Sequence, residues 1–524
     1  MAQSLNVIQY EHIPAVYVWI LAFVSALLLL LSYPPWDLSY LAWVALVPLL
    51  LAIQGRRPVE SLLPGWFTGL LFFMGYFYWL SYPEGVTGFD YLLLGIYMGL
   101  YVGLFALVTA WGLGRGISLA LIAPLAWVAL DYLRANAGFL GLPLAQLGHS
   151  QSQNLWVIQI ADITGVYGVS FLIVMVNATL AELLRSRKLL VARYFVTLGC
   201  VVLVGAYGYY RLSETAESAD IDVTVIQPNI PQDIKWDSAR MREHLEKHAS
   251  LSLAAASERP GSLIIWPESS VPGSILKHLG WHQLVAGVTR ATGQHVLLGS
   301  SGGPKFGTRD IPGDKWLNSA FLVRPPGIIT AQYNKIRLLP FSEYEPASSW
   351  IPWPARYAHA GNKYLPGTEY SVFEVDGKPF SVLICWEAYF PALAREFVRH
   401  GAGFLVQMTN EAWFGDTAAP HQLLASTVFR AVENRVFVAR SANTGVSGFI
   451  NPLGRVVARV SVNGQDTFVE GYATHAVGMR RFETLYTRYG DVFAKTCLTC
   501  MGILIVGFLA LRPGLRHIEQ PNDT

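Results

Sequence analysis

Charged side chains are what this chain of 524 residues has least of. Asp, Glu, Lys and Arg make up 14%, against about 25% in soluble proteins, so much of the chain does not face water. The shortage is local: residues 1–211 hold nine of the 38 Lys/Arg and eight of the 36 Asp/Glu. Four cysteines are too few for a disulfide framework. A net charge of +2 gives no sign of a nucleic-acid partner. No repeat and no low-complexity tract occurs. Apolar residues are abundant, at 52% with 13% aromatic and a mean hydropathy of +0.36, which excludes a disordered chain. One part reads as membrane-embedded and the other as globular.

A segment crossing a hydrocarbon layer of ~30 Å needs about 20 apolar residues. Such runs are expected near 15–33, 39–54, 62–82, 91–113, 116–133, 155–183, 190–210 and 493–511, about eight in all, the second and fifth being short. No small-residue cleavage site follows the first, so it reads as a retained anchor. Arg56 and Arg57, then Arg115, then Arg185, Arg187, Lys188 and Arg193, then Arg512 and Arg516 fall in alternate loops. Positive charge marks the cytoplasmic side, so both termini are expected inside. The chain then divides into 1–211 with spans one to seven, an extracytoplasmic domain at 212–492, and 493–524 with span eight and a cytoplasmic tail. Asn177 and Ser170 read as helix-packing groups. Asp131 and Arg134 read as a surface ion pair at the outer boundary.

Between spans seven and eight, short β-branched runs end at polar or Gly/Pro punctuation. They are Val223–Ile226, Leu263–Ile265, Val296–Leu298, Val382–Ile384 and Phe404–Val406, and they read as buried strands. Helical stretches at 238–257 and 391–400 alternate with them, which predicts α/β layers. Functional groups collect at the carboxyl ends of strands in such layers, and Glu268, Cys385 and Asn410 hold such positions. Cys200, Cys497 and Cys500 lie in apolar spans and read as inert packing. Cys385 is the one thiol of the outer domain. A thiol nucleophile needs a base and a positive group for the developing oxyanion, and Glu268 and Lys335 are the candidates.

The weaker signals read as structure. His244 and His248 stand at i,i+4, as a zinc pair would, but with no third ligand evident they read as a solvated helix face. Gly148-His149-Ser150-Gln151-Ser152 lacks the last Gly of a nucleophile elbow and reads as a loop. Trp350-Ile351-Pro352-Trp353 reads as a satellite core or as a lid dipping into lipid.

Together Gln227–Gln232 with Lys235-Trp236, Trp266-Pro267-Glu268, Lys335, Pro340–Tyr344, Ile384–Glu387, Asn410–Asp416 and Pro420–Gln422 resemble the nitrilase superfamily. Within it the chain resembles the membrane-embedded apolipoprotein N-acyltransferase family. The resemblance implies a multi-span α-helical membrane domain carrying a nitrilase-like α-β-β-α sandwich. It implies Glu268 as general base, Lys335 as oxyanion stabiliser and Cys385 as acylated nucleophile. Glu343 would hold Lys335 or orient the substrate amine. Trp236, Trp386, Glu387, Asn410, Trp413 and Phe341 would support the site or bind substrate. Ser342 stands where the family commonly has Gly, and Glu411 where it commonly has Asp.

The implied reaction moves an acyl chain from a phospholipid to the amino-terminal amine of a diacylglyceryl apolipoprotein, in a bacterial inner membrane with the catalytic domain on the periplasmic side. No cofactor and no metal are implied. A membrane-tethered amidase for a small amide is the alternative enzyme, and a transporter or lipid-binding scaffold the alternative of another class. Lipid substrates call for a lateral opening, with Pro340-Phe341, Trp350–Trp353 and Trp413-Phe414 as lining and 345–364 as the gate.

Overall fold

The computed structural model describes residues 13–185, 191–214, 218–271, 273–302, 315–354 and 364–510. Arg187, Lys188, Arg512, Arg516 and residues 355–363 of the expected gate lie outside the described residues.

Apolar helices run over Ala15–Leu31, Pro58–Tyr76, Gly88–Leu113, Leu119–Ala135, Val166–Arg185, Val191–Leu212 and Val492–Ala510. By length and apolarity together, three helices among the described residues can cross a membrane, those beginning at Gly88, Val166 and Arg193. Small residues set the closest helix pair: a Cβ on Gly69 would lie 2.8 Å from the Gly99 Cα, and one on Gly99 would lie 2.8 Å from the Leu70 nitrogen. Backbone contact of that kind is how helices associate where no water drives them together.

Two expected spans differ from the reading above. The second is a 3₁₀ turn, Ser39–Trp43, followed by the seven-residue helix Val47–Ile53. Its half-unwound backbone finds partners on its neighbours. Asn177 accepts from the Leu46 amide at 2.8 Å and donates to the Ala42 carbonyl at 2.9 Å, and Ser25 accepts from the Leu49 amide at 2.8 Å. Without water, such partners are required. The sixth begins with the short helices Leu155–Ile158 and Ala161–Thr164 before the long helix Val166–Arg185. Gly165, at φ +65°, makes the break. Asp131 and Arg134 also differ: their ion pair is buried, with Arg134 donating to the Leu142 and Leu144 carbonyls at 2.7 and 2.8 Å. A guanidinium in this setting needs a full set of acceptors, and a turn of chain supplies it.

The remaining chain forms two six-stranded sheets. Strands β1 (Ile221–Gln227), β2 (Leu263–Ile265), β3 (His295–Gly302), β4 (Leu317–Arg324) and β5 (Ile328–Asn334) belong to the first. Strands β6 (Phe373–Val375), β7 (Lys378–Ile384), β8 (Phe404–Thr409), β9 (Val438–Ala442), β10 (Gly448–Ile450) and β11 (Val456–Arg459) form the second. β12 (Gly471–Val477) returns to the first, giving the orders β12-β1-β2-β3-β4-β5 and β11-β10-β9-β8-β7-β6. The period of two sorts the side chains. Leu263, Ile265, Leu297 and Leu322 enter the core shared by the two sheets, with Val382 and Val406 opposite. Ile264, Trp266, Leu298 and Phe321 form a second core on the face covered by the helices Met241–Glu258 and Leu279–Thr292. The helices Pro391–Arg399 and Ala419–Asn434 belong to the other sheet. The result is the expected four-layer sandwich.

His244 and His248 correct their reading. Both are buried, because their face of the helix looks onto the sheet, where the His248 ring packs 5.0 Å from Trp266.

Polar clamps join sandwich and bundle. Gln422 accepts from the Trp79 indole at 2.8 Å and donates to the Pro34 carbonyl at 2.9 Å. Arg435 reaches Asp162 at 2.8 Å and Gln159 at 2.6 Å, and Asp162 also receives the Tyr207 hydroxyl at 2.9 Å. Removing one partner of a buried ion pair strands the other charge at a cost of about 3–5 kcal/mol. Asp162 also faces Arg211 at 3.3 Å, so Arg435→Met should lower the thermal unfolding midpoint of the purified protein without leaving that carboxylate unpaired, and adding Arg211→Met should deepen the loss. An unchanged midpoint in the single variant would show that the clamp does not hold the two parts together.

Candidate active site

The site gathers where four strands of the two sheets end. β2 runs into Trp266-Pro267 and the turn at Glu268. β5 ends at Asn334, one residue before Lys335. β7 ends at Ile384, one residue before Cys385, and β8 ends just ahead of Asn410. β7 pairs parallel with β8; β2 pairs parallel with β1 and β3, and β5, two antiparallel pairings beyond β3, runs with them, so within each sheet these ends point the same way, which is why chemistry collects there.

Lys335 is 2% exposed. Its backbone is fixed on both sides, donating to the Asn318 carbonyl at 2.8 Å and accepting from the Gly367 amide at 2.7 Å. Its ammonium donates to Glu343 Oε1 at 2.9 Å and lies 3.6 Å from Glu268 Oε1. Asn318 completes the set: its amide nitrogen donates to Glu268 Oε1 and to Glu343 Oε1, both at 2.9 Å. The second oxygen of Glu268 accepts from the Asn410 amide at 3.1 Å, and that of Glu343 from the Leu339 amide at 2.6 Å. Burial pulls the Lys335 pKa down, but Glu343 and Glu268 outweigh it, and the ammonium is held above its ordinary value. It stays charged.

Cys385 sits at φ +57°, a left-handed turn that costs a non-Gly residue about 1–3 kcal/mol. The turn redirects the chain from β7 into the 3₁₀ helix Cys385–Tyr389. Glu387 imposes it. The fully buried Glu387 carboxylate takes four donors: the Tyr333 hydroxyl at 2.8 Å and the amides of Ile336, Arg337 and Ile384 at 2.7, 2.9 and 2.8 Å. One carboxylate thus ties the residue before Cys385 to the residues after Lys335. Burial pushes its pKa up to about 7, against the pull of these donors. The Cys385 carbonyl accepts from Gln407 at 3.2 Å. Burial pushes the Cys385 thiol pKa up, Glu268 adds to this, and Lys335 opposes it. A resting thiolate is thus disfavoured, and the proton must leave as the sulfur reacts.

Glu268, Lys335, Glu343, Cys385 and Asn410 therefore come together, with Glu387 behind them. Trp386 lies at the margin, its indole donating to the Arg337 carbonyl at 2.6 Å. Phe341, at φ +63°, packs 4.9 Å from Trp353. Trp236 and Trp413 are exposed. Among the described residues, neither Trp236 nor Trp413 hydrogen-bonds to the carboxylates or the ammonium. The Trp350–Trp353 cluster is no buried core, since Trp350 is 89% exposed. Gly148–Gln151 lies in a buried 3₁₀ turn packed on the helix at Val166, and the Ser170 hydroxyl accepts from the Gly148 amide at 2.9 Å. Glu411 pairs with Arg440, and the absent side chain at Gly445 makes its room: a Cβ there would lie 1.9 Å from Glu411 Oε2.

Sequence reasoning missed Asn318, an isolated Asn at the start of an apolar strand, and Gly299. A Cβ on Gly299 would lie 2.5 Å from the Ser269 nitrogen and 2.9 Å from the Glu268 Cα.

A buried acid, ammonium and thiol at the strand ends of such a sandwich are the setting of a carbon-nitrogen hydrolase domain. The model of that family, "Carbon-nitrogen hydrolase", matches residues 222–477. A second, "Apolipoprotein N-acyltransferase N-terminal domain", matches residues 25–179 in the bundle. The chain is 36% identical over 512 residues to the apolipoprotein N-acyltransferase of Geobacter metallireducens, covering 94% of this chain and 95% of that one. It is 29% identical to that of Chlorobaculum tepidum, covering 92% and 95%. The chain belongs to the apolipoprotein N-acyltransferase family. Among solved structures, an amidase from Nesterenkonia sp. is similar at 18% identity, covering 54% of this chain and 95% of that one, with a TM-score of 0.37.

An Ala at Gly299 meets only backbone, so the Glu268 turn must move. Gly299→Ala should leave a folded protein whose acyl transfer is slower by about 10²-fold, the scale of a 1 Å misplacement. Normal transfer would show that Glu268 tolerates displacement.

Proposed function

We propose that the enzyme transfers a fatty acyl chain from a phospholipid, through a thioester on Cys385, to the amino-terminal amine of a diacylglyceryl-cysteine apolipoprotein. Glu268 removes the thiol proton as the sulfur attacks the ester carbonyl. Lys335 takes the negative charge that forms on the carbonyl oxygen, and Glu343 and Asn318 hold it in place for that. The proton on Glu268 passes to the leaving lysophospholipid. In the second half the amine attacks the thioester, Glu268 accepts its proton, and the proton returns to the departing sulfur. Such a two-step exchange is ping-pong.

The observation that carries the lipid reading is the junction beside the site. Two residues after Asn410 the chain forms the turn Ala412–Phe414. The Phe414 ring packs 4.5 Å from Trp79, and Gly415 abuts Tyr82, whose ring a Cβ would meet at 2.9 Å. Trp79 and Tyr82 close the bundle's third apolar stretch. A site loop resting on the bundle supports a thiol near the membrane surface, where an acyl chain can arrive without exposing each CH₂ to water at about 0.8 kcal/mol. Exposed Trp236, Trp350 and Trp413 are suited to that boundary. In this reading Pro340-Phe341, Trp350–Trp353 and Trp413-Phe414 line a lateral opening.

We also propose a crossing of the membrane by all eight apolar stretches, the second only partly helical, with domain limits at 211 and 492. In support, Arg56 donates to the Ile13 carbonyl at 2.7 Å and Arg185 to the Leu51 carbonyl at 2.9 Å. The end of the second stretch therefore lies level with the start of the first. Arg56, Arg57 and Arg185 share the end of the bundle away from the sandwich, which favours cytoplasmic termini and a periplasmic sandwich.

Mass spectrometry after incubation with phospholipid should find an acyl mass on the Cys385 peptide, and none in Cys385→Ala. An unmodified thiol together with turnover of a soluble amide would overturn the transferase reading. Lys335→Met should keep the thiol and slow acylation by about 10²–10³-fold, the loss of one oxyanion donor. Near-normal acylation would move that role elsewhere.

A further inference from the structure

Lys235 closes the helical turn Gln232–Lys235 and is 3% exposed. Its ammonium forms no hydrogen bond or ion pair with any described residue. The turn is fastened to the site: Gln232 accepts from the Asn410 side-chain amide at 3.0 Å, and the Asn410 backbone amide donates to Glu268. Three elements present titratable groups to Lys235. Glu268 acts on it from the turn after β2. His244 and His248 act from the helix Met241–Glu258, and His244 has both ring nitrogens and His248 its Nε2 without a partner among the described residues. On its own segment, Asp233 and Asp237 are exposed, and Asp237 lies 3.7 Å from Arg240. Burial drives the His248 pKa down to about 3 and lowers that of His244. With both rings held toward the neutral form, Glu268 is the anion whose field reaches the Lys235 charge, without an ion pair between them.

The site itself is short of positive charge. Glu268 and Glu343 are two carboxylates around a single ammonium, that of Lys335. Buried carboxylates that share a site push each other toward protonation. A protonated Glu268 could not take the proton of Cys385.

We propose that Lys235 is a positioning residue that supplies the missing counter-charge and keeps Glu268 ionised beside Glu343. This rests on Glu268 being the base in the reaction above. Lys235 acts through Glu268 and need not touch substrate. Burial lowers its pKa to about 8, with Glu268 pulling the other way. The charge is therefore present at neutral pH and lost above it. The expected effect is confined to the acid side of the profile.

Alkylation of Cys385 by iodoacetamide in the purified full-length protein, followed from pH 5 to 9, tests this without any lipid substrate. Lys235→Met and Lys235→Gln should shift the acid limb upward by about one unit, a loss of roughly tenfold at its foot. Their rates should rejoin the unmodified protein above the limb, and Lys235→Arg should keep the original position. Equal loss at every pH, or no loss, would overturn the proposal, the first showing a packing role. Glu268→Gln should abolish the limb. If it keeps an unaltered profile, the assignment of the base fails and the proposal with it. A shifted limb in the Lys235 variants with no acyl mass on Cys385 would leave the proposal standing and overturn the transferase reading instead.

Discussion

Everything in the catalytic sandwich is arranged around an ammonium shared by two carboxylates in a place largely closed to water. Taking three ionised groups out of water costs several kcal/mol each after relaxation. The surrounding chain has to return that through contacts fixed in position. Asn318 bridges both carboxylates, the Asn410 and Leu339 amides take their remaining oxygens, and the backbone of Lys335 is held at both ends. These donors come from β4, from the end of β8 and from the loop after Lys335. The site can exist only when both sheets have assembled, so its geometry reports on the whole sandwich.

Glu387 extends the same constraint to the Cys385 side. Its four donors come from the end of β5, the loop after it and the end of β7. A strained Cys385 and a buried Lys335 are thereby set against each other by a group that meets neither. The same logic recurs at the join to the bundle, where Gln422 and Arg435 spend their side chains on the backbone and carboxylate of distant segments. In each case a polar side chain takes up groups that the apolar surroundings would otherwise leave unpaired.

Much of this was legible in the sequence. The runs ending at Glu268, Cys385 and Asn410 are strands, and their punctuation marks the site, because a buried strand needs β-branched residues and its end needs a turn. The charge-poor segments mark the bundle. Pairings between distant residues were not legible. Asn318 carries no local mark, since its partners lie 25 and 50 residues away. The His244–His248 pair was misjudged because Glu243, Glu246 and Lys247 make the helix look solvated, while the face toward the sheet is fixed by packing. The stretch 39–54 has the composition of a span but not its continuous helix, since Ser25 and Asn177 relieve its backbone of the need for one.

That half-unwound stretch bears on how the protein is made. The Leu46 amide and Ala42 carbonyl meet Asn177, a residue 131 positions later for the first and 135 for the second. Until the helix Val166–Arg185 leaves the ribosome, neither group has its partner. A bare peptide group in hydrocarbon costs several kcal/mol. The second stretch cannot settle in lipid as a finished unit while the chain is growing. It must wait, in water or against the insertion machinery, for the sixth, so the bundle closes from a late helix back onto an early one and assembly does not follow the order of synthesis.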